Sequence, residues 1–143
     1  MTVWRTSENS GMSGMTENSF VLDTNAVIFL TAKGSIISSD LENILNDADM
    51  CISVISEIEL FSKPAMPPNE EENLRAFLSD RLPIVELTSA IKKETIALRR
   101  NAKLKLPDCI VAATAIVQNA VLLTADKELL TLSWPGFHAR KMF

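Results

Sequence analysis

Several acidic residues in this chain sit where carboxylates do chemistry. Asp23 closes the apolar run Phe20-Val21-Leu22, and Asp126 follows Val121-Leu122-Leu123-Thr124 near the other end. Asp108 stands just before Cys109 to Val117, a helix-like segment too apolar to have a solvent face. Glu57 and Glu59 share the segment Ser53 to Leu60, about 200° apart on a helix, so at most one can face the others. Taken singly, each acid has an ordinary explanation as a turn residue, an N-cap, a dipole partner or a solvated Glu.

Taken jointly they point to a site. A short apolar run bounded by polar residues reads as a buried strand of a parallel sheet, and ligands of such sheets bind at the carboxyl edge of the strands. Asp23 and Asp126 would be delivered to that edge by strands, Asp108 and one glutamate by helices. Two carboxylates about 5 Å apart repel by roughly 3 kcal/mol at an effective dielectric near 20, so such a cluster persists only with protonation or a cation. Oxygen ligands without His or Cys select hard divalent ions, Mg²⁺ or Mn²⁺, which commonly hold a phosphate. The chemistry is then that of metal-dependent nucleases and phosphatases.

The elements that must position these acids alternate in the α/β manner, without internal repeats. Strands are expected at Phe20-Leu22, Met50-Ser53, Pro83-Leu87, Val121-Thr124 and near Ala139-Met142. Helices are expected from Asn25 to Ala32, broken at Gly34-Ser35; from a Ser39 or Asp40 cap through Asp47; from Ile55 to Ser62; and from Glu70 to Arg81 after Pro67-Pro68-Asn69. Three more run from a Thr88 or Ser89 cap to Lys103, from Pro107-Asp108 to Gln118, and from Lys127 to Leu132. The fold class is α/β with a central, mainly parallel sheet.

Composition narrows the options. At 143 residues the chain is long enough to bury a conventional core as one domain. A net charge of −4 argues against a generic basic nucleic-acid binder and leaves room for a regional basic patch. That patch is Arg99, Arg100, Lys103 and Lys105, just upstream of Asp108; its ordinary explanation is complementing a helix C-terminus. Two cysteines without a CxxC pair, Cys51 and Cys109, and a single histidine, His138, speak against a zinc site and for buried thiols in a reducing, cytoplasmic setting. No stretch is long and apolar enough for a membrane span. Residues 1–19, rich in Ser, Thr, Asn, Gly and Met, read as a flexible extension rather than a secretory signal, with the folded domain at 20–143.

Four blocks of the sequence resemble the signature blocks of PIN-domain ribonucleases, especially VapC-type toxins of bacterial toxin–antitoxin pairs. They are Phe20-Val-Leu-Asp23-Thr-Asn25, Ile52-Ser53-Val-Ile-Ser56-Glu-Ile-Glu59-Leu60, Leu106-Pro-Asp108-Cys-Ile-Val-Ala-Ala113 and Leu122-Leu-Thr124-Ala-Asp126. They occur in the family's order with similar spacing, across Phe20 to Phe143. The resemblance implies a three-layer α/β/α fold with about five strands and a metal-dependent endoribonuclease. By position, Asp23, Glu59, Asp108 and Asp126 match the acidic quartet, and Asn25 and Thr124 match polar residues that support the site. Asp23, Asp108 and Asp126 would hold Mg²⁺ or Mn²⁺. Glu59 is preferred over Glu57 because the family's acid directly precedes a Leu.

The resemblance also implies an RNA substrate, a cognate antitoxin and a homodimer. Phe29, Ile36 and Ile37 are candidates for an antitoxin groove or dimer face, with ordinary core packing as the alternative. One departure is Ala125, where many VapC-like members carry Arg, so grip on the substrate must come from elsewhere. A phosphatase of the haloacid dehalogenase type fits poorly because it needs an Asp where this chain has Asn25. A phosphoacceptor receiver domain lacks its paired acids. A catalytically silent RNA- or protein-binding module is the non-enzymatic alternative, against which the intact quartet argues.

Overall fold

Among the described residues, five strands, β1 (Ser19–Leu22), β2 (Asp49–Ser53), β3 (Ile84–Val85), β4 (Val121–Thr124) and β5 (Ala139–Lys141), form one sheet in the order β3-β2-β1-β4-β5. Every pairing is parallel. The computed structural model describes residues 18–32 and 38–142. Among the described residues, seven helices connect the strands: α1 (Thr24–Thr31), α2 (Ser39–Asn46), α3 (Val54–Phe61), α4 (Pro68–Arg81), α5 (Ser89–Asn101), α6 (Leu106–Val117) and α7 (Lys127–Leu130).

The pleat sorts apolar side chains into two cores. Val21, Cys51 and Leu122 face one built with Ile91 and Leu98 of α5, Val111 to Ala113 of α6 and Leu129 of α7. Phe20, Leu22, Ile52 and Leu123 face the other, with Ala26, Val27, Leu41, Leu45, Leu60 and Leu78 from α1 to α4. This is the expected three-layer α/β/α arrangement. Both cysteines are free and fully buried, and burial pushes each thiol's pKa up.

The central strand is β1. From it the chain winds outward through β2 and β3, then crosses to β4 and β5 on the other side, so strand order reverses between β1 and β4. Crevices open at such switch points at the strands' carboxyl ends. Asp23 and Asp126 follow these two strands.

Several boundaries shift from expectation. Ser19, assigned above to the extension, is buried and pairs with Asp49 at the start of β1; residues 1–17 lie outside the described residues. Helices α1 and α3 begin a residue early because Asp23 and Ser53 cap them, accepting from the N–H groups of Thr24 and Ile55. Ser38, rather than Ser39 or Asp40, caps α2. Pro68 lies in the first turn of α4, where its missing N–H costs nothing, so that helix starts earlier than Glu70. Strand β3 pairs over two residues instead of five, and Leu87 beyond it is exposed. Helix α5 ends at Asn101, leaving Lys103 in the connection. Gly34-Ser35, Ile36 and Ile37 lie outside the described residues, and Phe29 is half-buried against the α1–α4 core.

Candidate active site

Asp23 joins the sheet to the site. Its N–H donates to the Leu123 carbonyl at 3.0 Å, extending the β1–β4 ladder by one rung. Oδ1 accepts from the Thr24 N–H at 2.8 Å, which is its capping role, and Oδ2 accepts from the Thr124 hydroxyl at 2.8 Å. Capping and site membership therefore coexist in one side chain.

Thr124 Oγ1 also accepts from the Asp126 N–H at 3.0 Å, so one buried hydroxyl links the acids after β1 and β4. Asp126 in turn caps α7, its Oδ1 accepting from the N–H groups of Glu128 and Leu129 at 2.8 and 3.4 Å. Alternation along the strands places Asp23 and Thr124 on the face of Val21 and Leu122, which is the face α6 covers.

Asp108 enters from the first turn of α6. That helix stops through a pair of backbone bonds, Ala120 N–H to Ala115 carbonyl and Asn119 N–H to Ile116 carbonyl, with Asn119 at φ +57°. The stop feeds directly into β4. Glu59 comes from α3, and its Oε1 accepts from the Thr24 hydroxyl at 2.6 Å.

The acids act on one another. Burial pushes the Asp23 carboxyl up from its ordinary value; hydrogen bonds from Thr124 and Thr24 oppose this, and the charges of Asp126 and Glu59 add to it. Asp108 is pushed up to about 6, first by burial and then by Asp126 and Asp23, with Lys105 opposing and Glu128 adding. The four predicted acids are thus electrostatically one cluster.

Among the described residues, no three His, Cys, Asp or Glu side chains stand in position to hold a metal ion. The donor chemistry nevertheless fits one. The set is oxygen-only and self-repelling, and Mg²⁺ is usually held by one or two carboxylates with several waters, without a closed protein cage.

Glu57 lies elsewhere. It lines a cavity of about 640 Å³ with Phe61, Arg75, Leu78 and Val85, where the Arg75 guanidinium sits 4.3 Å from the Phe61 ring centre. Glu59 instead borders a groove of about 870 Å³ between α1, α3 and α4, whose apolar wall includes Ile28, Leu60, Leu74 and Phe77. Asp23, Asp108 and Asp126 line neither hollow.

The other anticipated residues divide. Asn25 is exposed in the first turn of α1 and makes no side-chain hydrogen bond among the described residues. Arg99 Nη1 donates to the Leu104 carbonyl at 2.7 Å, tying α5 to the start of α6. Arg100, Lys103 and Lys105 are exposed, and of these Lys105 is felt by Asp108. Thr24 was missed in the sequence. Its only signal there was its place beside Asp23, since its partner lies 35 residues away.

The site is thus a parallel sheet whose switch point gathers carboxylates that follow β1 and β4 or sit on the neighbouring helices. The PIN domain model matches residues 20–134, and the chain belongs to the PIN domain family, a family of nucleases. Among solved structures it is similar to a toxin–antitoxin complex from Klebsiella pneumoniae, at 29% identity, TM-score 0.64, covering 82% of this chain and 93% of that one. It is also similar to VapBC2 from Rickettsia felis bound to a promoter DNA fragment (23%, TM-score 0.71, 87% and 99%) and to VapBC-5 from Mycobacterium tuberculosis (16%, TM-score 0.62, 87% and 99%). No curated protein matches it at a significant level. Among the described residues, no helix is long and apolar enough to cross a membrane.

Proposed function

We propose that the chain is a VapC-type toxin, an endoribonuclease dependent on Mg²⁺ or Mn²⁺, with its nuclease domain beginning at β1. The observation that carries this reading is the coupling of Asp23, Glu59, Asp108 and Asp126 at the switch point of a PIN fold. Asp23, Asp108 and Asp126 would offer oxygens to the ion, with water completing its shell. When bound, such an ion would supply charge neutralisation at the phosphoryl group and a lowered pKa for the attacking water.

The protein's own groups do the rest. Thr124 fixes Asp23 against Asp126, and Thr24 fixes Glu59 through Oε1, leaving Oε2 to orient the attacking water and take its proton. Water attacks phosphorus in line, the bond to the 3′ oxygen breaks, and that oxygen takes a proton from solvent. The products are a 5′-phosphate and a 3′-hydroxyl.

Partners follow the same reading. The solved neighbours in complex with antitoxins support an antitoxin for this chain, and the apolar groove that reaches Glu59 is a suitable seat for it. A homodimer and a cytoplasmic setting complete the proposal. The test is Asp23→Asn: purified wild type should cleave RNA only with Mg²⁺ or Mn²⁺, and the variant should lose cleavage while keeping its far-UV spectrum. Undiminished cleavage by the variant would remove the assignment.

A further inference from the structure

The acid edge poses an electrostatic problem for a polyanionic substrate, and the residue at 125 does not relieve it. In a protein of net charge −4, phosphates approaching four carboxylates need cations close by, yet β4 is followed by Ala125. The next strand carries a basic pair. Strand β5 runs parallel to β4 with Leu123 opposite Arg140 and Thr124 opposite Lys141.

Register decides which of the pair matters. Residues paired across a sheet share a face, and successive residues alternate. Leu122 and its partner Ala139 pack in the α6-side core, whereas Leu123 packs in the opposite one. Lys141 therefore shares the face of Thr124, whose hydroxyl holds Asp23, and Arg140 lies on the other face. Adjacent strands are about 4.8 Å apart, so Lys141 is rooted one strand from the residue at the centre of the acid network.

Two further observations make Lys141 available. It is exposed, and among the described residues it forms no ion pair or side-chain hydrogen bond. The cation that Asp108 feels is Lys105, on the α6 side. Lys141 is thus rooted on β5 next to β4, on the same face of the sheet as Thr124.

We propose that Lys141 is an RNA-binding residue, contacting a backbone phosphate of the substrate beside the scissile bond and supplying the grip that Ala125 does not. This rests on the ribonuclease reading above. A short four-carbon stem ending in a mobile ammonium suits a phosphate contact without sequence preference. Each phosphate neutralised on a single strand contributes about 0.7 to the slope of log affinity against log salt.

The experiment uses full-length protein and a fluorescent single-stranded RNA. Binding is read in the non-cleaving Asp23→Asn background across a salt series, and cleavage in the otherwise wild-type chain with Mg²⁺. Lys141→Ala should weaken binding about tenfold at low salt, lower the salt slope by about 0.7 and raise KM more than it lowers kcat. Lys141→Arg should restore most of this, and Arg140→Ala should have a smaller effect. If Lys141→Ala binds and cleaves like its parent, or Arg140→Ala is equally impaired, the assignment to Lys141 is wrong while the ribonuclease reading stands. If the wild type neither binds nor cuts RNA, both fall together.

Discussion

The Thr124 hydroxyl donates to Asp23 Oδ2 at 2.8 Å across 101 positions of sequence, and the same oxygen accepts from the Asp126 N–H at 3.0 Å. Using both functions of one hydroxyl, the protein holds two mutually repelling acids at the ends of neighbouring strands. Burial raises the cost of charging Asp23, and this hydrogen bond is the largest opposing influence.

Removing that hydroxyl should separate its structural part from its chemical one. Thr124→Val keeps the shape but leaves Asp23 with one fewer donor and the Asp126 N–H without its acceptor. Stability should fall by about 1–3 kcal/mol, the usual cost of stranding a buried polar group. Metal-dependent cleavage should fall at least tenfold, and Thr124→Ser should keep most of it. Urea unfolding and an RNA cleavage assay on the same preparations check this; full activity in the Val variant would deny Thr124 a positioning role.

The two glutamates of α3 should behave differently. Glu59 is held by Thr24 and its charge reaches Asp23, whereas Glu57 borders a cavity with Arg75 on the β3 side. Glu57→Gln should leave cleavage within about twofold. Glu59→Gln should reduce kcat by about 10²-fold or more, in line with loss of a general base. Thr24→Val should lie between them and Thr24→Ser near wild type, because the 2.6 Å bond orients Glu59 without taking part in the chemistry. Equal losses for Glu57→Gln and Glu59→Gln would show that the acid of α3 had been chosen wrongly.

How far the sequence could be read depends on the range of each interaction. Apolar runs such as Phe20-Val21-Leu22 and Val121-Leu122-Leu123 are local patterns, so the strands and the acids after them were legible. Helix starts were displaced where a capping side chain decided them, as Asp23 and Ser53 do for α1 and α3. Strand β3 was over-read because Pro83-Ile84-Val85-Glu86-Leu87 has the right composition, but pairing at an edge depends on the neighbour, and β2 ends at Ser53 opposite Val85. The Thr24–Glu59 bond and the Thr124–Lys141 register are relations between distant segments. No local pattern announces either.

The state of Asp108 should make both stability and metal binding pH-dependent. Its carboxyl is pushed up to about 6 from an ordinary 3.8, so the folded protein holds this proton more tightly than the unfolded chain does. The folded state therefore binds more protons between about pH 4 and 6, and linkage makes stability fall as pH rises through that window. Asp108→Asn should remove this part of the slope and be more stable than wild type above pH 6, by about 1 kcal/mol once solvent screening of a half-exposed group is allowed for. A divalent ion held at Asp108 would compete with that proton. The rise in Tm produced by millimolar Mg²⁺ should thus be small at pH 5 and larger at pH 7.5 in the wild type, and should shrink at pH 7.5 in Asp108→Asn. Thermal melts at the two pH values, with and without Mg²⁺, measure all of these differences. A Mg²⁺ shift that is independent of pH and unaffected by Asp108→Asn would place the ion away from Asp108.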